Sequence, residues 1–508
     1  MMLKVVVGYL LVGAVYCLGS SNETTRLEIK GSMLYRNNVQ VTLAGTNYVM
    51  KGYPFFPNTT EVEAHAQQIA ASMKDLRKNV APVVRLGTLM SGYMPYDSTV
   101  SEEFKTRLES TVGIFNKHGI YVLLDIHTDA MVSTACGQGI SPWVAQYFQE
   151  NQARIPWWKF WATKKAYLAS PATPLKLCGS LVGWALKAFG HVPEVQTVSG
   201  DTNPWYNYST RDSGRISQHG QFMNIGNQNC RLNNNDVAWG KGTILFTEQL
   251  QNFAARFYSL GHSPVFEGDN AHVYKHYLGF VKYLSQVHKE NSNVVGIELL
   301  NEPPIVLQSL LNIPKMRRNL FKFYAKVIED LGSDTVPIVV EDLGGSLPGA
   351  SVVWNVFRWF NDIDASTLKK LQEKSDKNQL MLSFHYYKTV LTSISMDKMI
   401  GEVAAKASKK FNNAPMFLTE FDQDTQGIAK TIATILNQHN TTIAATTYWH
   451  YKNMFSPTDI FNEGTTTINQ TLWPSYVESI DKGESYGAQI TGSGGGNDQV
   501  LGNLENYL

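Results

Sequence analysis

The chain is 508 residues long and nearly neutral, with 44 Lys and Arg against 43 Asp and Glu and a formal net charge of +1. No block of basic residues offers the electrostatic footprint that a nucleic-acid partner needs. With 43% hydrophobic and 17% charged residues the composition is that of a folded protein, which excludes a disordered chain.

The chain opens on MMLK followed by VVVGYLLVGAVYCLGS. One lysine, an apolar run too short to span a bilayer and small residues at Gly19 and Ser20 predict a secretory signal peptide over residues 1–19. The alternative is an uncleaved membrane anchor, disfavoured because no other segment reads as membrane-spanning. Sequons at Asn22, Asn58, Asn207, Asn440 and Asn469 agree with passage through a secretory pathway. The expected destination is secreted or lysosome-like. Loss of the signal peptide leaves Cys136, Cys178 and Cys230. One disulfide and one free thiol is the simplest arithmetic for an oxidising compartment, with the pairing open. Their spacing matches no zinc pattern, so neither a metal nor any other cofactor is expected.

Eight β-branched runs follow: Val41–Val49, Ala81–Leu89, Tyr121–Asp129, Val294–Pro303, Val336–Leu343, Leu380–Tyr387, Ala414–Phe421 and Ile443–Tyr451. Nearly continuous Val, Ile and Leu is the pattern of parallel strands buried on both faces. Amphipathic stretches such as Glu61–Asn79 and Met316–Gly332 lie between them. Eight strands alternating with helices predict a (β/α)₈ TIM barrel over residues 20–475. No GxGxxG or Walker pattern follows a strand, which argues against a nucleotide site. A long insertion, roughly Ala130 to Gly242, interrupts the repeat after strand three and holds seven of the eleven tryptophans. Residues 476–508, with GSGGGNDQ, read as a flexible tail.

Strand after strand ends apolar and then turns polar: Arg85, His127 and Asp129, Asn301 and Glu302, His385 and Tyr387, Glu420, Trp449. In such a barrel the C-terminal strand ends face one mouth, so these side chains are expected to converge there. Any single one can be structural; six strand ends in step point to a site. Glu302 and Glu420, on strands four and seven, suit glycosidic bond cleavage, which needs one protonated and one ionised carboxyl group. Asn301 is placed to reach a sugar 2-hydroxyl, Tyr387 to donate to Glu420, and Trp449 to stack under a sugar ring. Lys51, His127 and Asp129 can bond sugar hydroxyls. The rival carboxylates Glu298 and Asp125 lie inside strands and read as buried, paired structural groups. Glu341 is nearer a strand end but lacks flanking residues with obvious roles.

At VVGIELLNEPP the sequence resembles glycoside hydrolase family 5, whose acid/base follows an asparagine at strand four. The resemblance extends to VVRLG with Arg85, SFHYY with His385 and Tyr387, and FLTEF with Glu420, covering about Val41 to Tyr451. It implies Glu302 as acid/base and Glu420 as nucleophile. Within the family the chain is most similar to the endoglycoceramidases, through LLDIHTDAM, where His127 and Asp129 match and Thr128 departs, and through GTNYVMKGYPFFP with Lys51. That implies a glycosphingolipid substrate cut between glycan and ceramide. Bacterial relatives append a β-sandwich, which is expected to be missing or reduced here, since only about sixty residues follow Trp449.

Trp157, Trp158 and Trp161, interspersed with lysines, suit a water–lipid boundary and predict peripheral membrane contact. The competing expectation is that they form the core of an inserted lid. A β-glucosidase or endoglucanase on soluble or steryl glucosides is the alternative enzyme. A glycolipid-binding protein without catalysis is the alternative from another class. Nothing in the sequence bears on oligomeric state.

Overall fold

The computed structural model describes residues 24–50, 55–57, 59–72, 79–128, 131–132, 139–150, 248–262, 267–304, 313–332, 336–343, 360–387, 395–422, 432 and 434–449. The expected signal peptide, the cysteines, Lys51, Asp129, Trp157, Trp158, Trp161 and the expected tail lie outside the described residues, as does the Tyr387 side chain.

A short antiparallel hairpin, β1 (Glu28–Lys30) and β2 (Met33–Arg36), leads into β3 (Val39–Tyr48). Seven further strands follow: β4 (Val80–Thr88), β5 (Tyr121–Ile126), β6 (Val294–Glu298), β7 (Ile338–Glu341), β8 (Leu380–Tyr387), β9 (Met416–Asp422) and β10 (Ile443–Tyr448). Each pairs in parallel with the next, and β10 pairs with β3, so the eight strands close on themselves. The (β/α)₈ barrel is thus observed, with β1 and β2 as an addition that the strand count did not include.

Two apolar clusters follow from the strand period of two. Outward residues such as Val84, Val122, Ile297, Val340, Leu382 and Leu418 pack beneath the helices. The helix Glu102–Lys117 shows why it docks: Phe104, Leu108, Val112 and Phe115 share one face, and Ser101 caps its first turn by accepting from the Phe104 N–H. Inward residues Leu43, Val83, Leu123, Val339, Met381 and Phe417 fill one end of the barrel with the hairpin's Met33 and Leu34. Polar side chains take over further along the same strands. Gly296 faces this interior, where a Cβ would meet Met381 Cε at 2.7 Å.

Most expected strand boundaries shift by a few residues, and two of the shifts bear on the site. Strand three ends at Ile126 and strand four at Glu298, because the residues beyond them turn inward and exchange bonds across the two strand ends. The Asn301 N–H donates to the Ile126 carbonyl, and Thr128 Oγ1 donates to the Asn301 carbonyl. Part of the expected insertion is described and packs on the barrel. The helix Pro142–Glu150 packs into the core through Val144 and Phe148, and Trp143 is buried with its indole N–H donating to Met94. One of the seven clustered tryptophans is therefore a core residue.

Candidate active site

The polar interior is organised around Arg85. Its side chain is fully buried, and its planar fork reaches four strands at once. Nε donates to Glu298 Oε2 at 2.7 Å, Nη1 to Glu420 Oε1 at 2.7 Å and to Asn47 Oδ1 at 2.9 Å, and Nη2 to Asn301 Oδ1 at 2.6 Å. Asp125 Oδ2 lies 3.2 Å from Nη2. Burial works against the guanidinium charge, but Asp125, Glu298 and Glu420 outweigh it and hold the Arg85 pKa well above its ordinary value. Glu298 and Asp125 are buried and paired as expected, Glu298 also accepting from Ser383 at 2.6 Å. Burial pushes the Glu298 carboxyl up to about 7 against the pull of Arg85.

Beyond this layer Glu302, His385 and Glu420 come together. A carboxylate oxygen of each glutamate and a ring nitrogen of His385 lie within 4.8 Å of one another. His385 Nδ1 is 2.7 Å from Glu302 Oε1 and 3.4 Å from Glu420 Oε2. His385 therefore bridges the two carboxyl groups.

The two glutamates arrive differently. Glu302 stands four residues past the end of β6 with a φ of 44°, a left-handed conformation that costs a non-glycine residue roughly 1–3 kcal/mol. Its N–H donates to Glu341 Oε2 at 2.6 Å, and Tyr277 holds the Leu299 carbonyl just upstream. Glu341 thus has a role that its sequence neighbours do not reveal, since Glu302 lies 39 residues away beyond the end of another strand. Burial first, and then the Glu298 charge, push the Glu341 carboxyl well above the usual range.

Glu420 sits inside β9. The period of two would turn Thr419 inward after Phe417, but the register with β8 slips between Phe384 and His385, pairing Leu418 with Phe384 and Glu420 with His385. Thr419 is the extra residue of a β-bulge, and the bulge aims Glu420 into the barrel. The Thr419 carbonyl accepts from Asn47 Nδ2 at 2.8 Å and from Thr447 Oγ1 at 2.6 Å. Asn47 and Thr447 escaped the sequence reading; Asn47, the one amide in the fully buried part of β3, was the available signal.

His127 gives Nδ1 to a 2.8 Å bond with Asp125, and its ring lies parallel to Trp449 with centroids 5.5 Å apart. One face of Trp449 is therefore taken by His127. The Asn301 amide spends Oδ1 on Arg85 and one Nδ2 proton on the Thr128 carbonyl at 2.7 Å. Thr128, where the chain departs from the family motif, is part of this support.

A closed (β/α)₈ barrel with two buried glutamates bridged by a histidine at its mouth defines an enzyme of the barrel hydrolase class. The family model described as Cellulase (glycosyl hydrolase family 5) matches residues 42–167 and 262–455, more than half of the chain. The chain belongs to glycosyl hydrolase family 5. It is 35% identical over 100 residues to an endoglycoceramidase of Hydra vulgaris and 31% identical over 99 residues to one of Cyanea nozakii. The aligned stretch is 20% of this chain in both cases, and spans about a fifth of each relative's length, 19% and 20%. Among solved structures, an endogalactoceramidase is similar at 16% identity and a TM-score of 0.46, over 84% of this chain and 74% of that one. Endo-glycoceramidase II from Rhodococcus sp. in a ganglioside GM3 complex is similar at 13% identity and a TM-score of 0.46, over 89% of this chain and 81% of that one.

Proposed function

We propose that the protein is a retaining β-glycosidase that cuts glycosphingolipids between glycan and ceramide, with Glu302 as acid/base and Glu420 as nucleophile. The observation that carries the chemistry is the approach of the two carboxylates within 4.8 Å. Retaining enzymes hold their carboxyl groups about 5–5.5 Å apart, whereas inverting enzymes need roughly 6.5–9.5 Å to admit a water. The Arg85 ion pair favours a charged Glu420, as a nucleophile requires. Glu420 attacks the anomeric carbon as the glycosidic carbon–oxygen bond breaks, and Glu302 gives its proton to the departing ceramide oxygen. Water, deprotonated by Glu302, then displaces Glu420 and releases the glycan with its configuration retained.

The ceramide half of the reading is supported by the two curated relatives, both endoglycoceramidases. The clustered tryptophans add the membrane half: peripheral docking through Trp157, Trp158 and Trp161, in a secreted or lysosome-like setting. Extracting ceramide directly into an apolar surface avoids about 0.8 kcal/mol for each methylene exposed to water.

Incubating the pure protein with glycosphingolipids and cellodextrins, with and without detergent, tests the substrate. Release of intact glycan and ceramide is expected; cleavage of cellodextrins alone would favour the endoglucanase alternative. Azide should rescue Glu302→Ala as a β-glycosyl azide. An α-azide from that variant would reverse the two roles.

A further inference from the structure

A second group of chemistry-bearing side chains lies outside the catalytic cluster. His272 and His276 stand four residues apart on the helix Glu267–Glu290, so both rings share one face, their centroids 4.5 Å apart. Asp97 meets them from the segment that follows the C-terminal end of β4. Its Oδ1 is 2.7 Å from His272 Nε2 and 3.7 Å from His276 Nε2. One ligand atom from each residue lies within 4.8 Å of the other two. Ser98 closes the group, donating to Asp97 Oδ1 at 2.9 Å with its Oγ 3.2 Å from His276 Nε2.

The geometry points to a binding site for a zinc-class divalent cation on Asp97, His272 and His276. A tetrahedral ion with bonds of about 2.0–2.2 Å keeps its ligand atoms roughly 3.3 Å apart, and the two observed separations straddle that value. Two imidazoles and one carboxylate are a zinc ligand set that leaves a fourth position for water. The rings are also oriented in advance. Tyr147 stacks on His272 at 4.9 Å, and Trp143 sets its edge against His276 at 5.6 Å, both from the helix Pro142–Glu150. Lys275 is the nearby charge that opposes a cation.

Occupied, this site would tie the segment after β4 to the helix that precedes β6, at the root of the helix Pro142–Glu150. It shares no residue with the Glu302–His385–Glu420 cluster, so it stands or falls apart from the glycosidase reading. Sequence spacing alone did not reveal it, because the third ligand is 175 residues away from His272.

The test uses full-length protein stripped with a chelator, then titrated with Zn²⁺ by calorimetry and with Co²⁺ by visible absorption. One equivalent should bind, with the tetrahedral Co²⁺ bands of nitrogen and oxygen ligands, and Zn²⁺ should raise Tm. Asp97→Ala and His272→Gln should each weaken Zn²⁺ at least about tenfold and abolish the Tm shift, while the Glu302→Gln/Glu420→Gln double variant binds as before. His272 is a third exposed, so its substitution keeps the test alive if Asp97→Ala misfolds. Absence of stoichiometric binding would overturn the site. So would binding that survives both rim substitutions, that is lost in the double glutamate variant, or that shows thiolate charge-transfer bands.

Discussion

Strands β6 and β9 bring their glutamates to the barrel mouth by opposite means. Beyond β6 the ladder has ended, and Glu302 stands on a strained turn held from its neighbours: Glu341 on its N–H, His385 on its carboxyl group. On β9 the ladder continues, and Glu420 is turned inward by one bulged residue whose carbonyl is latched by Asn47 and Thr447. The first mount is a loop braced by side chains; the second is a strand braced by its own sheet. A group that must meet the anomeric carbon at one distance gains from the stiffer mount. A group that serves a leaving oxygen and then a water gains from one that is only locally braced.

The largest effect should separate the two mounts by leaving group. Glu420→Gln should abolish turnover of poor and activated glycosides alike, because the covalent step is lost with either. Glu302→Gln should slow natural glycolipid by about 10²–10⁴-fold and slow the first, bond-breaking step of an activated aryl glycoside far less, because that leaving group needs little protonation. Equal losses on both substrates in Glu302→Gln would erase the distinction.

Arg85→Lys strikes both walls at once. A lysine cannot reach Asn47, Glu298, Asn301 and Glu420 together, and breaking a buried ion pair costs about 3–5 kcal/mol. Chemical denaturation should show a loss of that order along with lost activity. An unchanged midpoint would show that the buried carboxylates do not depend on the fork.

Asn47→Ala acts on the β9 side of the site and spares the Glu302 turn. It removes the amide from the bulged carbonyl and leaves Arg85 Nη1 without one acceptor, at about 1–3 kcal/mol. A displacement of about 1 Å in Glu420 should lower kcat on the order of 10²-fold, equally for poor and activated leaving groups. A loss confined to poor leaving groups would place the damage on the β6 side instead.

The smallest effect is on stability against pH. Folding raises Glu298 from 4.5 to about 7 and raises Glu341 as well, both chiefly through burial. The folded protein therefore holds these protons more tightly than the unfolded chain. Their contribution is full below about 4.5 and is lost as pH rises through the folded value. Tm should fall as pH rises from about 4.5 to 7, and more shallowly in Glu341→Gln. A rise in Tm attributable to these two groups would contradict the burial argument.

The eight parallel strands and the glutamate pair were legible in the sequence for local reasons. A strand buried on both faces shows as a β-branched run, and a strand end turning polar shows within about four residues of it. Arg85, His385 and the paired state of Glu298 and Asp125 were legible on the same grounds. What β6 and β9 do beyond that was decided by tertiary structure. Arg85 finds partners 213 and 335 residues away, at Glu298 and Glu420, and no local pattern carries that distance. The inward aim of Glu420 rests on a one-residue slip between β8 and β9, which the period of two in the sequence contradicts. A bulge is a relation between two paired strands, two residues of one opposing one of the other, so it is defined by the sheet and cannot be read from the β9 sequence alone.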